Sequence, residues 1–178
     1  MLNDLTLSRK KNLNLQIVLS ILILFIGDLL YKLIYDISIF KVIFQFLNYS
    51  FFLFLISIIF LGLLHEFFHL ISYMLFGKAN FKDISIGFDF KTLYFYTDCT
   101  KFLTASTYIW ILLFPMLILG IFPYFIGITI ENVYLATLGL TLIASSSADI
   151  LYLIYLKNIP SNSLLKTSKE FDGFIIKT

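Results

Sequence analysis

Two histidines and a glutamate lie close together in the run His65-Glu66-Phe67-Phe68-His69. On a helix, residues four apart share a face, so His65 and His69 can offer two imidazoles to one metal ion. Glu66 stands beside the first histidine, where its carboxylate can act as general base toward a water that the metal polarises. Zinc suits this chemistry because it lowers the pKa of such a water to about 7 and polarises a scissile carbonyl. The spacing therefore predicts a zinc centre able to hydrolyse a peptide bond.

The rest of the chain is too apolar for a soluble domain. Hydrophobic residues make up 60% of the 178 residues and charged residues only 13%, whereas soluble domains carry about a quarter charged residues. The net charge of +2 argues against a nucleic-acid partner, and the 21 Phe and 11 Tyr exclude a disordered polar chain. The single Cys99 excludes a disulfide framework and a multi-cysteine zinc module. The composition predicts an integral membrane protein whose surroundings are the lipid bilayer.

Four stretches are long and apolar enough to cross a bilayer, which takes about 20 residues of helix. They cover about residues 13–35, 49–76, 103–126 and 132–156. The shorter stretch 37–47 is interpreted as an interfacial helix that leads into the second span. The basic residues before the first span resemble the start of a signal peptide, but the long apolar stretch without a cleavage site indicates an uncleaved anchor.

The positive charges predict the orientation. If the N-terminus is inside, every lysine and arginine except Lys32 and Lys41 lies in a cytoplasmic segment. We therefore expect both termini in the cytoplasm, in a plasma membrane of the bacterial kind. The segment 157–178 is expected to be a polar cytosolic tail, in which residues 171–176 are apolar enough to pack back on the helices.

A period-two pattern between the second and third spans predicts a β-hairpin over about residues 83–97. Its alternating apolar positions are Ile84, Ile86, Phe88 and Phe90, then Leu93 and Phe95 after a polar break at Lys91-Thr92. Open strands cannot lie bare in lipid, so the hairpin must lie at the membrane surface or against a protein-lined cavity. The predicted fold is an all-α polytopic membrane protein, a single embedded domain with about four transmembrane helices and this short hairpin.

Two histidines leave one ligand to be found, since catalytic zinc normally takes three protein ligands and a water. Asp149 is the first candidate, because it lies about 10 Å from the inner end of the fourth span and His69 lies equally far from the inner end of the second. The small residues 144–148 would let the fourth helix approach another closely. The alternative is that Asp149 only hydrogen-bonds these serines.

Two further aspartates are candidate ligands. Asp28 lies near the outer end of the first span with Lys32 four residues on, so we interpret it as half of an ion pair on one helix. Asp98, in the hairpin segment, is the reserve metal ligand.

These motifs together resemble a known family. HEFFH at 65–69, a Phe-Gly pair, a strand-like segment, LLFP at 112–115 and SSADILYLIYL at 146–156 resemble the zincin membrane peptidases of the DUF3267 type. Those are in turn similar to the site-2 protease class of intramembrane metalloproteases, and the likeness covers roughly residues 63–176. In the site-2 class an aspartate of a later helix completes the zinc site, and Asp149 holds that place, although in the context Ala148-Asp149-Ile150 rather than the usual LDG type. The resemblance also implies that the hairpin pairs with an unwound substrate.

The sequence therefore predicts a zinc-dependent intramembrane endopeptidase that cleaves membrane-anchored or hydrophobic peptides near the cytosolic side of the bilayer. Glu66 is the predicted catalytic base, and His65, His69 and Asp149 are the predicted ligands of Zn²⁺. The alternative is a non-catalytic metal-binding membrane protein, such as an immunity, sensor or transport accessory component.

Overall fold

The computed structural model describes residues 2–7, 9–89, 94–167 and 172–177. Within these ranges the helices are α1 (Arg9–Tyr35), α2 (Ile39–Tyr49), α3 (Phe51–Leu75), α4 (Ala105–Pro115), α5 (Phe122–Thr129), α6 (Val133–Ser145) and α7 (Ser147–Leu156). The strands are β1 (Leu2–Leu7), β2 (Ile84–Asp89), β3 (Tyr94–Cys99), β4 (Leu103–Thr104), β5 (Leu164–Thr167) and β6 (Asp172–Lys177).

Three helical segments of the described chain are long and apolar enough to cross a membrane: Lys11–Tyr35, Phe51–Leu75 and Ala105–Thr129. The third is continuous because a π-helical stretch, Met116–Ile121, joins α4 to α5. It follows Pro115 directly, which fits a residue that cannot donate to the helix ladder. The predicted interfacial stretch forms α2.

The stretch predicted as the fourth span is bent in the structure. Helices α6 and α7 together pass the same length and apolarity test, but they are bent by 50° where Ser146 separates them. The Ser146 hydroxyl donates to the carbonyl of Leu142 at 2.9 Å. Such back-bonding by a serine competes with the helix ladder and bends helices. The small residues predicted for close packing therefore also contain a break in the helix.

Large apolar side chains are exposed along α1 and the first half of α3. They include Val18, Ile21, Phe25, Leu33, Phe52, Ile56 and Phe60. A water-soluble monomer rarely exposes so much contiguous apolar surface, whereas lipid tails are its natural surroundings. The exposed surface is that of a membrane protein.

The chain divides into two compact units and passes from one to the other at four places, one of them inside α3 between His65 and Glu66. Unit 1 holds residues 1–16, 66–115 and 148–178. It contains the hairpin β2–β3 and a four-stranded antiparallel sheet in the order β1-β6-β5-β4. Its buried core includes Tyr73, Tyr108, Leu156, Leu165 and Phe174.

The sheet corrects two expectations. A chain predicted to be helical apart from one hairpin also has four strands in this second sheet, and the predicted polar tail supplies two of them. In β6, Phe174 and Ile176 point toward the core while strand pairing satisfies the backbone on both edges. The hairpin itself lies at Ile84–Asp89 and Tyr94–Cys99, close to the predicted range. Its predicted positions Phe90, Lys91, Thr92 and Leu93 lie outside the described residues.

Unit 2 holds residues 17–65 and 116–147, with a core around Tyr31, Ile39, Tyr124 and Leu140. Glycines let α5 and α6 approach each other at backbone distance. A Cβ on Gly139 would meet the backbone nitrogen of Tyr124 and would lie 2.7 Å from the carbonyl oxygen of Gly120. Since neither atom can rotate away, Gly139 fixes the α5–α6 spacing.

We expect Gly139→Ala to destabilise the protein by about 1–3 kcal/mol through overpacking. The comparison variant is Gly27→Ala, where the three atoms nearest the added methyl belong to the Leu140 side chain. A side chain shifts more readily than backbone, and alanine favours helix over glycine by about 1 kcal/mol, so we expect a smaller loss there. Thermal unfolding of both variants in one detergent checks this. Equal losses would contradict the role given to the α5–α6 backbone contact.

Candidate metal centre

The His-Glu-His cluster lies on consecutive turns of α3 and is buried. His65, Glu66 and His69 are 7%, 4% and 6% exposed. Each offers one ligand atom, and these atoms all lie within 4.8 Å of one another. The helical spacing thus brings the three donors to one place, as the sequence predicted, and they can hold a metal ion.

Asp149 lies against this cluster. Its Oδ1 is 3.3 Å from Nε2 of His69, and its side chain is buried with that of the histidine. It stands in the first turn of α7, just after the break at Ser146. The structure therefore brings together two residues 80 positions apart that the sequence paired by their equal depth, by the small residues beside Asp149 and by the family resemblance. Its role as third ligand stays a prediction.

Ser72 holds the backbone of α3 one turn beyond the cluster. Its fully buried hydroxyl lies 2.7 Å from the carbonyl oxygen of His69 and 3.3 Å from that of Ile111 on α4. Ile111 is four residues before Pro115, which has no N–H to give to that carbonyl. The serine therefore partners a carbonyl that the proline leaves available, and it ties α4 to the turn that carries His69.

The hairpin is attached to the same helix. The Thr97 hydroxyl on β3 donates to the backbone carbonyl of Glu66 at 3.1 Å. At the base of the hairpin, the amide of Thr100 donates to the carbonyl of Asp83 at 2.8 Å. The Lys101 ammonium, 2.8 Å from the Asp83 carboxylate, holds the pKa of that carboxyl below its usual range. These contacts place β3 alongside Glu66.

The two other aspartates weighed as ligands have different surroundings. Asp28 accepts hydrogen bonds from the Ser38 hydroxyl at 2.9 Å and the Phe40 amide at 3.3 Å. It therefore caps the start of α2, where a carboxylate is favourable, and the predicted pairing with Lys32 was wrong. Asp98 is paired with Ser85 in the hairpin register. The donors found within 4.8 Å of one another among the described residues include neither Asp98 nor Asp149, but Asp149 contacts His69.

Sequence reasoning missed Ser72 and Thr97. Ser72 follows His69 by three residues, and a buried serine at that spacing bonds back to its own helix. Thr97 lies in the alternating pattern of the hairpin, but which strand residue meets α3 depends on long-range packing. The sequence spacing could therefore have indicated the role of Ser72 but not that of Thr97.

The donor set fits zinc. Two imidazoles with a carboxylate are the ligands of His₂-carboxylate catalytic zinc sites, and all four side chains are at least nine-tenths buried. Buried ionisable groups are costly without a partner, and here three lie within 4.8 Å of one another with Asp149 against His69, which favours a shared ligand such as a metal ion. A divalent cation held by His65, His69 and Asp149 would supply the positive charge that offsets the buried carboxylates.

Comparison with known families agrees with this chemistry. The model of the DUF3267 family, described as "Putative zincin peptidase", matches residues 58–164. The matched region is more than half of the chain and contains both histidines, Glu66 and Asp149. Neither the curated proteins nor the solved structures give a match to the chain. The matched region and the buried cluster inside it show that this chain belongs to the DUF3267 family.

Proposed function

We propose that the protein is a zinc-dependent endopeptidase that cleaves membrane-anchored or hydrophobic peptides within the bilayer, near its cytosolic side. The observation that carries the proposal is the buried His-Glu-His cluster with the Asp149 carboxylate 3.3 Å from His69. His65, His69 and Asp149 hold the metal, and Glu66 is left to act as general base.

Zinc bound there would supply a Lewis acid that lowers the pKa of a coordinated water and polarises the scissile carbonyl. Glu66 takes the proton from the attacking water and passes it to the leaving amine nitrogen. The two carboxylates differ in position: Glu66 adjoins His65 on α3, whereas Asp149 contacts His69 from α7. Glu66 can therefore serve as general base while Asp149 serves as metal ligand.

The four-stranded sheet supports a topology with four crossings. β4 immediately precedes α4, and β5 follows α7. These two strands pair with each other, with Leu103 opposite Leu165. Paired strands lie on one side of a membrane, so the chain between them crosses an even number of times. The segment Ala105–Thr129 makes one crossing, and the bent pair α6–α7 makes the return. The same reasoning through β6 and β1 supports α1 and α3 as the other two crossings.

The charge pattern assigns the sheet side to the cytoplasm, since that choice puts all but two of the basic residues inside. Asp149 then lies seven residues before the inner end of α7, about 10 Å from the sheet side at 1.5 Å per residue. A cluster at this depth meets a peptide bond inside the membrane, close to its cytosolic surface.

An extended substrate fits this arrangement. Helical backbone keeps its carbonyls bonded, so a transmembrane segment must unwind before a peptide bond can be attacked. Among the described residues the hairpin forms a two-stranded sheet, and the outer edge of such a sheet can take up an extended peptide as a further strand. Thr97 attaches the hairpin at Glu66, so a peptide paired along it runs past the general base.

The test is metal content and cleavage of the full-length protein in detergent. Wild-type protein, purified without chelator, is expected to carry about one zinc per chain. His65→Ala should lose most of the zinc and all cleavage of a membrane-anchored reporter peptide, because two ligands bind far more weakly than three. Phe67→Ala, an exposed position on the same helix, is the matched control and should keep both. Wild-type protein without metal would refute the proposal.

A further inference from the structure

Four aromatic side chains of unit 1 form a connected group, here called the aromatic cluster: Tyr73, Tyr108, Tyr152 and Phe174. The Phe174 ring, at 1% exposure, is at its centre. Its centroid lies 5.0 Å from that of Tyr108 and 5.3 Å from that of Tyr152, both edge-to-face. Tyr108 in turn lies 6.2 Å from Tyr73, also edge-to-face. These distances and orientations are those of favourable aromatic pairs.

The cluster lies one helical turn from two residues of the metal centre. Tyr73 follows His69 by four residues on α3, and Tyr152 follows Asp149 by three on α7. Residues at these spacings share a helix face. The faces of α3 and α7 that carry His69 and Asp149 therefore continue into the aromatic cluster.

Helix α7 needs such support. It has ten residues and follows a 50° break, so continuity with α6 does little to fix its direction. Short helices owe their place to tertiary packing rather than to their own propensity. A small tilt of α7 would change the 3.3 Å separation between Asp149 and His69.

Phe174 is firmly held on the other side. It lies in β6, which is bonded on both edges, with Leu5 of β1 and Thr167 of β5 as its register partners. A side chain on a central strand moves less than one on a loop. The ring thus offers a fixed surface against which Tyr152 of α7 and Tyr108 of α4 pack.

We propose that Phe174, near the C-terminus, is a positioning residue for the metal centre: it sets the spacing of α3 and α7 and so holds Asp149 within reach of a cation bound by His65 and His69. This inference rests on the metal site proposed above. Phe174 touches neither substrate nor metal, and it acts through Tyr152 and Tyr108.

The test measures zinc affinity by competition with a chromophoric chelator, using full-length protein in detergent. Phe174→Ala should weaken zinc binding about 10-fold or more, as loss of supporting contacts around metal ligands does. Phe174→Leu, which keeps most of the volume, should recover part of that loss. Ile175→Ala, on the opposite face of the same strand, is the matched control and should stay within about 3-fold of wild type.

A double variant separates positioning from general weakening of the fold. If Phe174 acts through Asp149, adding Phe174→Ala to Asp149→Asn should weaken zinc binding no further than Asp149→Asn alone. The visible spectrum of the Co²⁺-loaded protein should change in the same way in Phe174→Ala and in Asp149→Asn. Where Phe174→Ala does not fold, Phe174→Leu serves in both comparisons.

Three results would overturn the inference. If Phe174→Ala bound zinc as tightly as wild type, the inference would be refuted and the proposed metal site would stand. If the losses of the two single variants added up in the double variant, the inference would also be refuted. Wild-type protein that binds no zinc would refute the proposed function, and the inference with it.

Discussion

Glu66→Gln is expected to lower the rate of peptide cleavage by about 100- to 10,000-fold, the usual contribution of a general base. Glutamine has the same shape as glutamate but cannot take a proton from the attacking water. The side chain is 4% exposed, so bulk water cannot readily replace it as base. Cleavage of a membrane-anchored reporter peptide, followed over time with wild type and variant at equal concentration, measures the loss.

Zinc content separates the roles that Glu66 can have. If Glu66 is the base, the variant should hold as much zinc as wild type. Because its carboxylate lies within 4.8 Å of both histidine donors, loss of zinc would instead make it a ligand. Full cleavage by Glu66→Gln would favour the non-catalytic alternative, in which the cluster binds metal without turnover.

The chemistry of the site could be predicted because it depends on local spacing. Residues one and four positions after His65 must lie near it on any helix, so the cluster on α3 required no knowledge of the fold. The hairpin was predictable for a similar reason, since alternation of apolar residues is a local property of a strand. Asp149 could be paired with His69 only through its equal depth in the membrane, the small residues beside it and the family resemblance, because no local spacing links residues on different helices.

What the sequence could not show depends on distant partners. Leu164–Thr167 is a four-residue strand whose edges are covered by Leu103–Thr104 and Asp172–Lys177, and no local pattern specifies such pairing. Phe174 lies in the stretch 171–176 that is apolar enough to pack back on the helices, but its place in a central strand and its partners Tyr108 and Tyr152 could not be predicted. The break at Ser146 was hidden for a different reason. Serines in a helix allow close packing, and they can also bond back to a carbonyl of their own helix. The hydrogen bond from Ser146 to Leu142 and the bend show that the back-bonding occurs here.

Asp149→Asn is expected to weaken zinc binding about 10-fold or more and to abolish cleavage. Asparagine keeps the shape of the side chain but removes the negative charge that a third ligand gives to a divalent cation. The substitution leaves the packing of α7 nearly unchanged, so the loss reports the charge. Asp149 is chosen because its carboxylate comes from another helix and lies 3.3 Å from Nε2 of His69.

Asp28→Asn is the matched control, because it makes the same chemical change at a partly buried aspartate that accepts hydrogen bonds at the start of α2. Its acceptor oxygen remains, so the bonds from Ser38 and the Phe40 amide can persist. Zinc affinity and cleavage should therefore stay close to wild type. Zinc content and activity of both variants, measured side by side, decide the third ligand. If Asp149→Asn kept full zinc and full activity, the carboxylate would serve only to orient His69, and Asp98 would be the next residue to substitute.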